Sequence, residues 1–435
     1  MTLAEVARAT GGELVGSDVA VDGVTIDSRA VRPGQLFVPI VAARDGHEFV
    51  PAALAAGAAA HLTSRPPTDR AAGPAVVVPD TFAALSRLGA HARDRLAATV
   101  VGVTGSVGKT SVKDLVAGAV GAARATWASA KSFNNELGVP LTLVEAPDAT
   151  EVVVLEMGMR GFGHLRALCA LARPTVGVVT ALAPAHTEMV GGLEGVARAK
   201  GELIEALPRH GTAVLNADQG AVAAMARRTE ATVVSFGVTR GDVRAELLEL
   251  DAELRPRVRL HTPEGRVELR LGVRGAHQAA NAAAAAAVAT VVGVALAEAA
   301  EGLAAVVPSA WRMEVHRTPA GAVVVNDAYN ANPTSTEAAL RALAALPARR
   351  RVAVLGVMAE LGAESDALHR EVAAVAHELG IELVAVGTAG YGPAPVPGWE
   401  EARAVLGDLG AGDAVLVKGS RVAGLERLAA ALLER

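Results

Sequence analysis

Thr104-Gly105-Ser106-Val107-Gly108-Lys109-Thr110-Ser111 is the stretch whose residue types and spacing most directly specify chemistry. It follows an apolar run, ATVVGV, and opens a helical one, VKDLVAGAV, which is the setting a phosphate-binding loop requires. Glycines let successive backbone N–H groups curl around phosphate oxygens. The helix N-terminus adds its positive end, and Lys109 can reach the β- and γ-phosphates. The hydroxyl of Thr110 suits Mg²⁺. The strict pattern asks for glycine where this chain has Val103, so the loop is a shortened form. Alone, it does not separate ligases from ATPases or GTPases.

Other chemistry-bearing residues stand at the ends of apolar runs. Glu156 ends VVVLE, where parallel sheets place ligand-binding groups, and a carboxylate there suits Mg²⁺. His186 follows PTVGVVTAL after a short loop, and a loop histidine is by itself unremarkable. Lys200, in VARAKGEL, carries an ammonium that repels a metal ion, so as plain lysine it reads as a solvated helix residue. His277 and Asn281 stand four apart in an alanine-rich helical stretch and share a face, with a plain helix cap as the alternative. Arg312, Asp327, Tyr329, Asn330 and Asn332 gather where a third unit begins. An arginine there can offset charge that builds during phosphoryl transfer, while Tyr329 could equally be a packed turn residue. Asn134 and Asn135 precede a Gly-Val-Pro turn and could simply form it. Ser28 and Arg29 of Asp27-Ser28-Arg29 suit a pyrophosphate. For that triplet and for Asp45-Gly46-His47, turns with a surface salt bridge are the alternative. Lys418-Gly419-Ser420-Arg421, after AVLV, can face a carboxylate. Cys169 lies among apolar helical residues and reads as buried filler.

These residues need elements to position them, and the chain is long enough for several domains. At 435 residues, with 51% apolar composition, two or three cores are expected. The net charge of −5 is spread along the chain without a basic run, which favours small anions over nucleic acid. One cysteine excludes a disulfide framework and fits a reducing compartment. The N-terminus lacks a signal-peptide pattern, and the apolar stretch 279–294 is too short to span a bilayer, so a cytoplasmic protein without membrane insertion is expected. EVVVLEMG, PTVGVVTAL and GTAVLNAD are apolar without alternation, as strands buried on both faces are. ATVVSFGV, RPRVRLHT and RVELRLG alternate and predict an antiparallel extension; RVAVLGVM, ELVAVG and AVLVKGS again predict parallel strands. The expected fold is α/β with three domains. A central parallel-sheet, phosphate-loop ATPase-like domain (96–308) is flanked by a smaller N-terminal α/β domain (1–95) and a C-terminal Rossmann-like α/β domain (309–435).

The segments together resemble the Mur ligase family of peptidoglycan biosynthesis along nearly the whole chain. They are DSRAVRPGQLFVPI and DGHEF; TGSVGKTS, NNELGVPLTL, EMG, ARAKGEL and GAHQAAN; WRMEV, NDAYNANPTS and KGSR. The resemblance implies an ATP-dependent amide ligase working through an acyl phosphate. Thr110, Glu156, His186 and a CO₂-derived carbamate on Lys200 would hold two Mg²⁺ ions, His186 being a ligand of the second. Asn281, with His277, would meet the nucleotide base, Asp327 the ribose, with Tyr329 also on the nucleotide, and Arg312 the γ-phosphate. Ser28, Arg29, Asp45 and His47 would hold the uridine diphosphate end of a UDP-muramyl tripeptide. Asn134, Asn135, Asn330 and Asn332 would lie along its peptide, and Lys418 and Arg421 would face the incoming amine's carboxylate. DAYNANPTS, with no aspartate-asparagine-proline-arginine motif, implies D-alanyl-D-alanine as that amine. A monomer is expected, with small-molecule partners only. One departure is Val357, where relatives often have aspartate. A different Mur-type or folylpolyglutamate-type acceptor, and a slow nucleotide-hydrolysing switch, are the competing readings.

Overall fold

Short apolar runs supply the strands and alanine-rich runs the helices. The computed structural model describes residues 1–65, 73–130, 132–183, 190–392 and 394–434. Among these, the strands fall into three sheets of five, nine and five strands, within an α/β architecture. The chain forms two compact units. One comprises Met1–Val101, Ala125–Met157 and Arg166–Pro174; the other comprises Gly102–Arg124, Gly158–Leu165 and Thr175–Arg435.

In the first unit, the N-terminal sheet runs in the order Glu13–Val15, Ala75–Val77, Ala60–Thr63, Leu36–Phe37, Val24–Thr25. Only the first pair is antiparallel. The helix Leu3–Thr10 starts with a capping box between Thr2 and Glu5 and stops at Gly11, whose φ of 70° suits glycine. Leu3, Leu36, Leu62, Leu85 and Leu88 form its core, and Leu141 joins them from far along the chain. Glu145 fixes that later helix, Gly138–Glu145, by accepting from the Val24 N–H at 2.6 Å and pairing with Arg32 at 2.6 Å. The strand Val152–Glu156 pairs in parallel with Thr126–Ala128 and buries every residue, as its unalternating sequence demands.

In the second unit, Val176–Val179, Thr212–Asn216 and Thr232–Gly237 are parallel neighbours. This corrects the expectation that ATVVSFGV belongs to the antiparallel extension. Helical segments at Gly220–Ala223 and Ala224–Arg228 carry the chain back over the sheet before it, and such a crossover produces parallel pairing. Antiparallel pairing begins only at Val243–Leu250, a strand the sequence pattern did not reveal, and continues through Pro256–Thr262 and Gly265–Arg270. The helix Gln278–Val291 buries nearly all of its alanines.

The last sheet runs Glu314–Arg317, Val323–Asp327, Asp413–Lys418, Arg350–Gly356, Glu382–Val386, parallel except for its first strand. Val325, Ala353, Leu355 and Leu416 pack on one face with Leu340, Leu343 and Val372. Val324, Val352, Val354, Val415 and Val417 pack on the other with Leu428 and Leu432. Helices cover both faces, so loops at the carboxyl ends of these strands are left to carry function. Among the described residues no helix is long and apolar enough to cross a membrane.

Candidate functional site

The phosphate loop joins the strand Thr99–Thr104 to the helix Lys109–Gly121. Gly108 stands at the helix N-cap with φ 85°, a conformation that penalises any side chain. A Cβ at Gly105 would lie 1.9 Å from Thr180 Oγ1, and one at Gly108 would lie 2.9 Å from Asn281 Oδ1. Both glycines are therefore demanded by close approach. The Ser106 N–H donates to the Ala181 carbonyl at 2.6 Å, and Thr180 Oγ1 donates to the Val107 carbonyl at 2.5 Å. The loop is strapped to the end of the next strand. Its own hydroxyls are another matter: Thr104 and Ser106 are buried with no hydrogen-bond partner. Buried polar atoms left unpaired are costly, and a cradle that keeps them is shaped for a ligand with acceptor oxygens. Lys109 Nζ donates to the Gly105 carbonyl at 2.8 Å, an arrangement an arriving phosphate can exchange. Ser111 follows Thr110 in the first turn of the helix.

Arg312 reaches this loop from the third domain. Its Nη2 donates to Thr110 Oγ1 at 3.1 Å, its guanidinium lies 4.2 Å from the centre of the Tyr329 ring, and its Nε is buried without a partner. Asp327 and Lys418 end neighbouring parallel strands in register. Their side chains meet at 2.5 Å, Lys418 Nζ also donates to the Asn330 carbonyl at 2.8 Å, and Asp327 accepts from the Met313 N–H at 3.2 Å. Burial draws Lys418 below the ordinary lysine range, opposed by the Asp327 carboxylate. Asn330 is exposed. Asn332 is a helix cap: its Oδ1 accepts from the Ser335 N–H at 2.9 Å. Arg421 lies over the Trp311 ring and pairs with Glu426 at 2.6 Å.

Lys200 ends the helix Gly192–Lys200 and is 1% exposed, so the alternative of a plain solvated helix lysine is excluded. His277 takes the N-cap position of Gln278–Val291 without a side-chain capping bond. Asn281 Nδ2 donates to Gln278 Oε1 at 2.8 Å. His186 lies outside the described residues. Among the described residues no group of three His, Cys, Asp or Glu side chains is gathered as a metal site.

The first unit carries the rest. Glu156 is 1% exposed, accepts from Asn134 Nδ2 at 2.8 Å, and its N–H donates to Ser129 Oγ at 3.2 Å. Asn135 accepts from the Leu137 and Gly138 N–H groups at 3.2 and 3.0 Å, a turn-forming geometry. Arg29 makes two bonds of 2.8 Å to the Asp27 carboxylate on an exposed turn beside Ser28. The His47 Nδ1–H donates to Asp45 at 2.7 Å and its Nε2 accepts from the Ser64 N–H at 3.1 Å, while Arg65 closes on the other Asp45 oxygen. Burial, with His47 nearby, pushes His61 down to about 4. Thr180, Ser129 and Trp311 were not singled out in the sequence. Thr180 had a signal as the polar end of VGVVT, and Trp311 as the first residue of WRMEV.

Comparison with known proteins follows the same three segments. Family models match at residues 3–93 (Mur ligase family, catalytic domain), 103–289 (Mur ligase middle domain) and 311–421 (Mur ligase, glutamate ligase domain). The chain is 39% identical to the UDP-N-acetylmuramoyl-tripeptide--D-alanyl-D-alanine ligase of Mycobacterium tuberculosis, covering 100% of this chain and 98% of the relative. A crystal structure of MurF from Acinetobacter baumannii superimposes with a TM-score of 0.87 at 29% identity, covering 100% of this chain and 99% of that one. MurF ligase from Thermotoga maritima in complex with ADP gives a TM-score of 0.82 at 26% identity, over 96% and 99% of the two chains.

Proposed function

The chain belongs to the Mur ligase family, and we propose that its phosphate loop, Arg312 and the loops of its third domain divide the work of an amide ligation. The protein is an ATP-dependent ligase that joins D-alanyl-D-alanine to a UDP-N-acetylmuramoyl-tripeptide. The tripeptide's terminal carboxylate attacks the γ-phosphate of ATP, giving an acyl phosphate and ADP. The dipeptide's free amine then attacks the acyl carbon, loses a proton, and phosphate leaves. Backbone N–H groups of Gly105 and of Val107 to Lys109, together with the Lys109 ammonium, bind the phosphates, while the Ser106 N–H holds the loop to Ala181 and Arg312 offsets charge as the phosphoryl group transfers. The observation that carries this reading is the pair of buried, unpartnered hydroxyls in the phosphate loop, with Arg312 Nη2 on Thr110 beside them.

Mg²⁺ serves the reaction by neutralising phosphate charge. The Thr110 hydroxyl and the Glu156 carboxylate are each the hard oxygen donors such an ion takes. The carbamate on Lys200 belongs to the same proposal. Carbamoylation would turn a buried amine into an anionic oxygen donor, and ¹³C-labelled bicarbonate should give a carbamate resonance that Lys200→Ala abolishes. A fully active enzyme without that resonance would remove the modification from the mechanism. The binding roles of Ser28, Arg29, Asp45 and His47 at the nucleotide end, of Asn134, Asn135, Asn330 and Asn332 along the peptide, and of Asn281, Asp327 and Tyr329 at ATP are part of this reading. A monomeric, cytoplasmic protein completes it. The deciding experiment measures phosphate release with ATP, Mg²⁺ and a UDP-muramyl tripeptide. Release should depend on D-alanyl-D-alanine; a better rate with glutamate or a diamino acid would overturn the acceptor.

A further inference from the structure

The segment carrying Arg312 is held at both ends and strained in the middle. At its start, the Ser309 N–H donates to Asp114 Oδ2 at 3.0 Å, and Asp114 lies on the same helix that the phosphate loop opens. At its end, the Met313 N–H donates to Asp327 at 3.2 Å. Between these anchors, Trp311 and Met313 sit at φ 59° and 54°. Side-chain-bearing residues adopt such conformations only where their surroundings hold them, and they gather at functional sites. Trp311 has such surroundings. Its ring centroid is 6.5 Å from that of Tyr329, tilted by 32°, and the Arg421 guanidinium lies 4.4 Å from the Trp311 ring. Tyr329 in turn carries the Arg312 guanidinium at 4.2 Å. Arg421, Trp311, Tyr329 and Arg312 thus form an unbroken series of cation and aromatic contacts. It runs from the loop after the strand Asp413–Lys418 to the arginine bonded to Thr110.

We propose that Trp311 is a positioning residue for Arg312. Its indole, clasped by Arg421 and Tyr329, ties the left-handed turn to the rest of the sheet edge, so that the Arg312 guanidinium stays aimed at the phosphate loop. The inference rests on the transition-state role proposed above for Arg312. It adds that the Lys418–Arg421 loop and Arg312 are mechanically joined through one side chain.

Two substitutions separate this role from simple packing. Trp311→Gly removes the indole while suiting the left-handed backbone, so it should fold with unchanged or raised thermal stability. It should nevertheless lower kcat for acceptor-dependent phosphate release by about 5-fold, with KM for the UDP-linked substrate unchanged within about 2-fold. Trp311→Phe, which keeps a ring between Arg421 and Tyr329, should restore most of the rate. In an Arg312→Ala background, Trp311→Gly should change the rate by less than about 1.5-fold, because its effect passes through Arg312. A Trp311→Gly enzyme of full kcat, or an equal further loss in the Arg312→Ala background, would overturn the proposal. If Arg312→Ala itself retains full activity, the role of Arg312 fails and this inference falls with it. If Arg312→Ala is slow but the two losses multiply, only the positioning role fails.

Discussion

The phosphate loop and the Asp45–His47 turn are both short polar stretches in α/β units, yet they leave opposite things unpaired. In the turn, both His47 ring nitrogens and both Asp45 oxygens are taken by Ser64, Arg65 and each other. In the phosphate loop, the hydroxyls of Thr104 and Ser106 are buried and unpartnered, and Lys109 rests on a loop carbonyl. A closed polar network stiffens a fold, whereas an open one stores binding capacity at some expense of stability. The contrast recurs in the third domain, where Lys418 is locked to Asp327 while Arg312 keeps a buried N–H free of partners.

Substitutions can break this contrast. Lys109→Ala should lower phosphate release by about 10³-fold or more, a loss far larger than any accompanying shift of the thermal midpoint. Retention of a tenth of the activity would place the phosphate contacts elsewhere. Lys418→Met should do the reverse to stability, because it strands the buried Asp327 carboxylate. Breaking such a pair costs about 3–5 kcal/mol, readable as a lowered urea midpoint. An unchanged midpoint would mean that water reaches Asp327.

His61, whose buried Nδ1 has no partner, is an open group in the first unit and can be tested through pH. Its folded value, about 4, lies below the ordinary 6.5, so the unfolded chain binds the extra proton first. The stability it confers is therefore present above pH 6.5 and lost as pH falls toward 4, by roughly 3 kcal/mol at most. His61→Leu should flatten that slope, and an unchanged acid transition would assign it to other groups. Smallest in stability is Arg29→Ala, on an exposed turn. It should leave the melting curve alone but raise KM for the UDP-linked substrate by about 10-fold, with KM for ATP unaltered. A parallel rise in both would point away from a nucleotide-end role.

Residue types announced some of these sites and concealed others. The loop 104–111 was legible because only glycine tolerates its close approaches and only a strand-to-helix junction presents its N–H groups. Residue type alone left Lys200 open between a solvated helix lysine and the buried group that the family resemblance implied, because a lone helical lysine has no sequence mark of burial. Asn135 was ambiguous, and the helix-capping role of Asn332 went unseen, because the amide that could bind a substrate also closes a turn or caps a helix. The crossover that makes Thr232–Gly237 parallel was hidden because alternation reports which faces are wet, not strand direction.

The three α/β segments, the phosphate loop and the family could be read along the chain, since apolar period, glycine positions and motif order are local properties. Which polar groups pair with one another follows from tertiary packing alone. Asp327 and Lys418 lie far apart in sequence and meet because parallel register sets the ends of their strands side by side. Trp311 reaches Tyr329 and Arg421 because the antiparallel strand Glu314–Arg317 starts at the edge where Val323–Asp327 and Asp413–Lys418 end, and no local pattern encodes which loops will touch there.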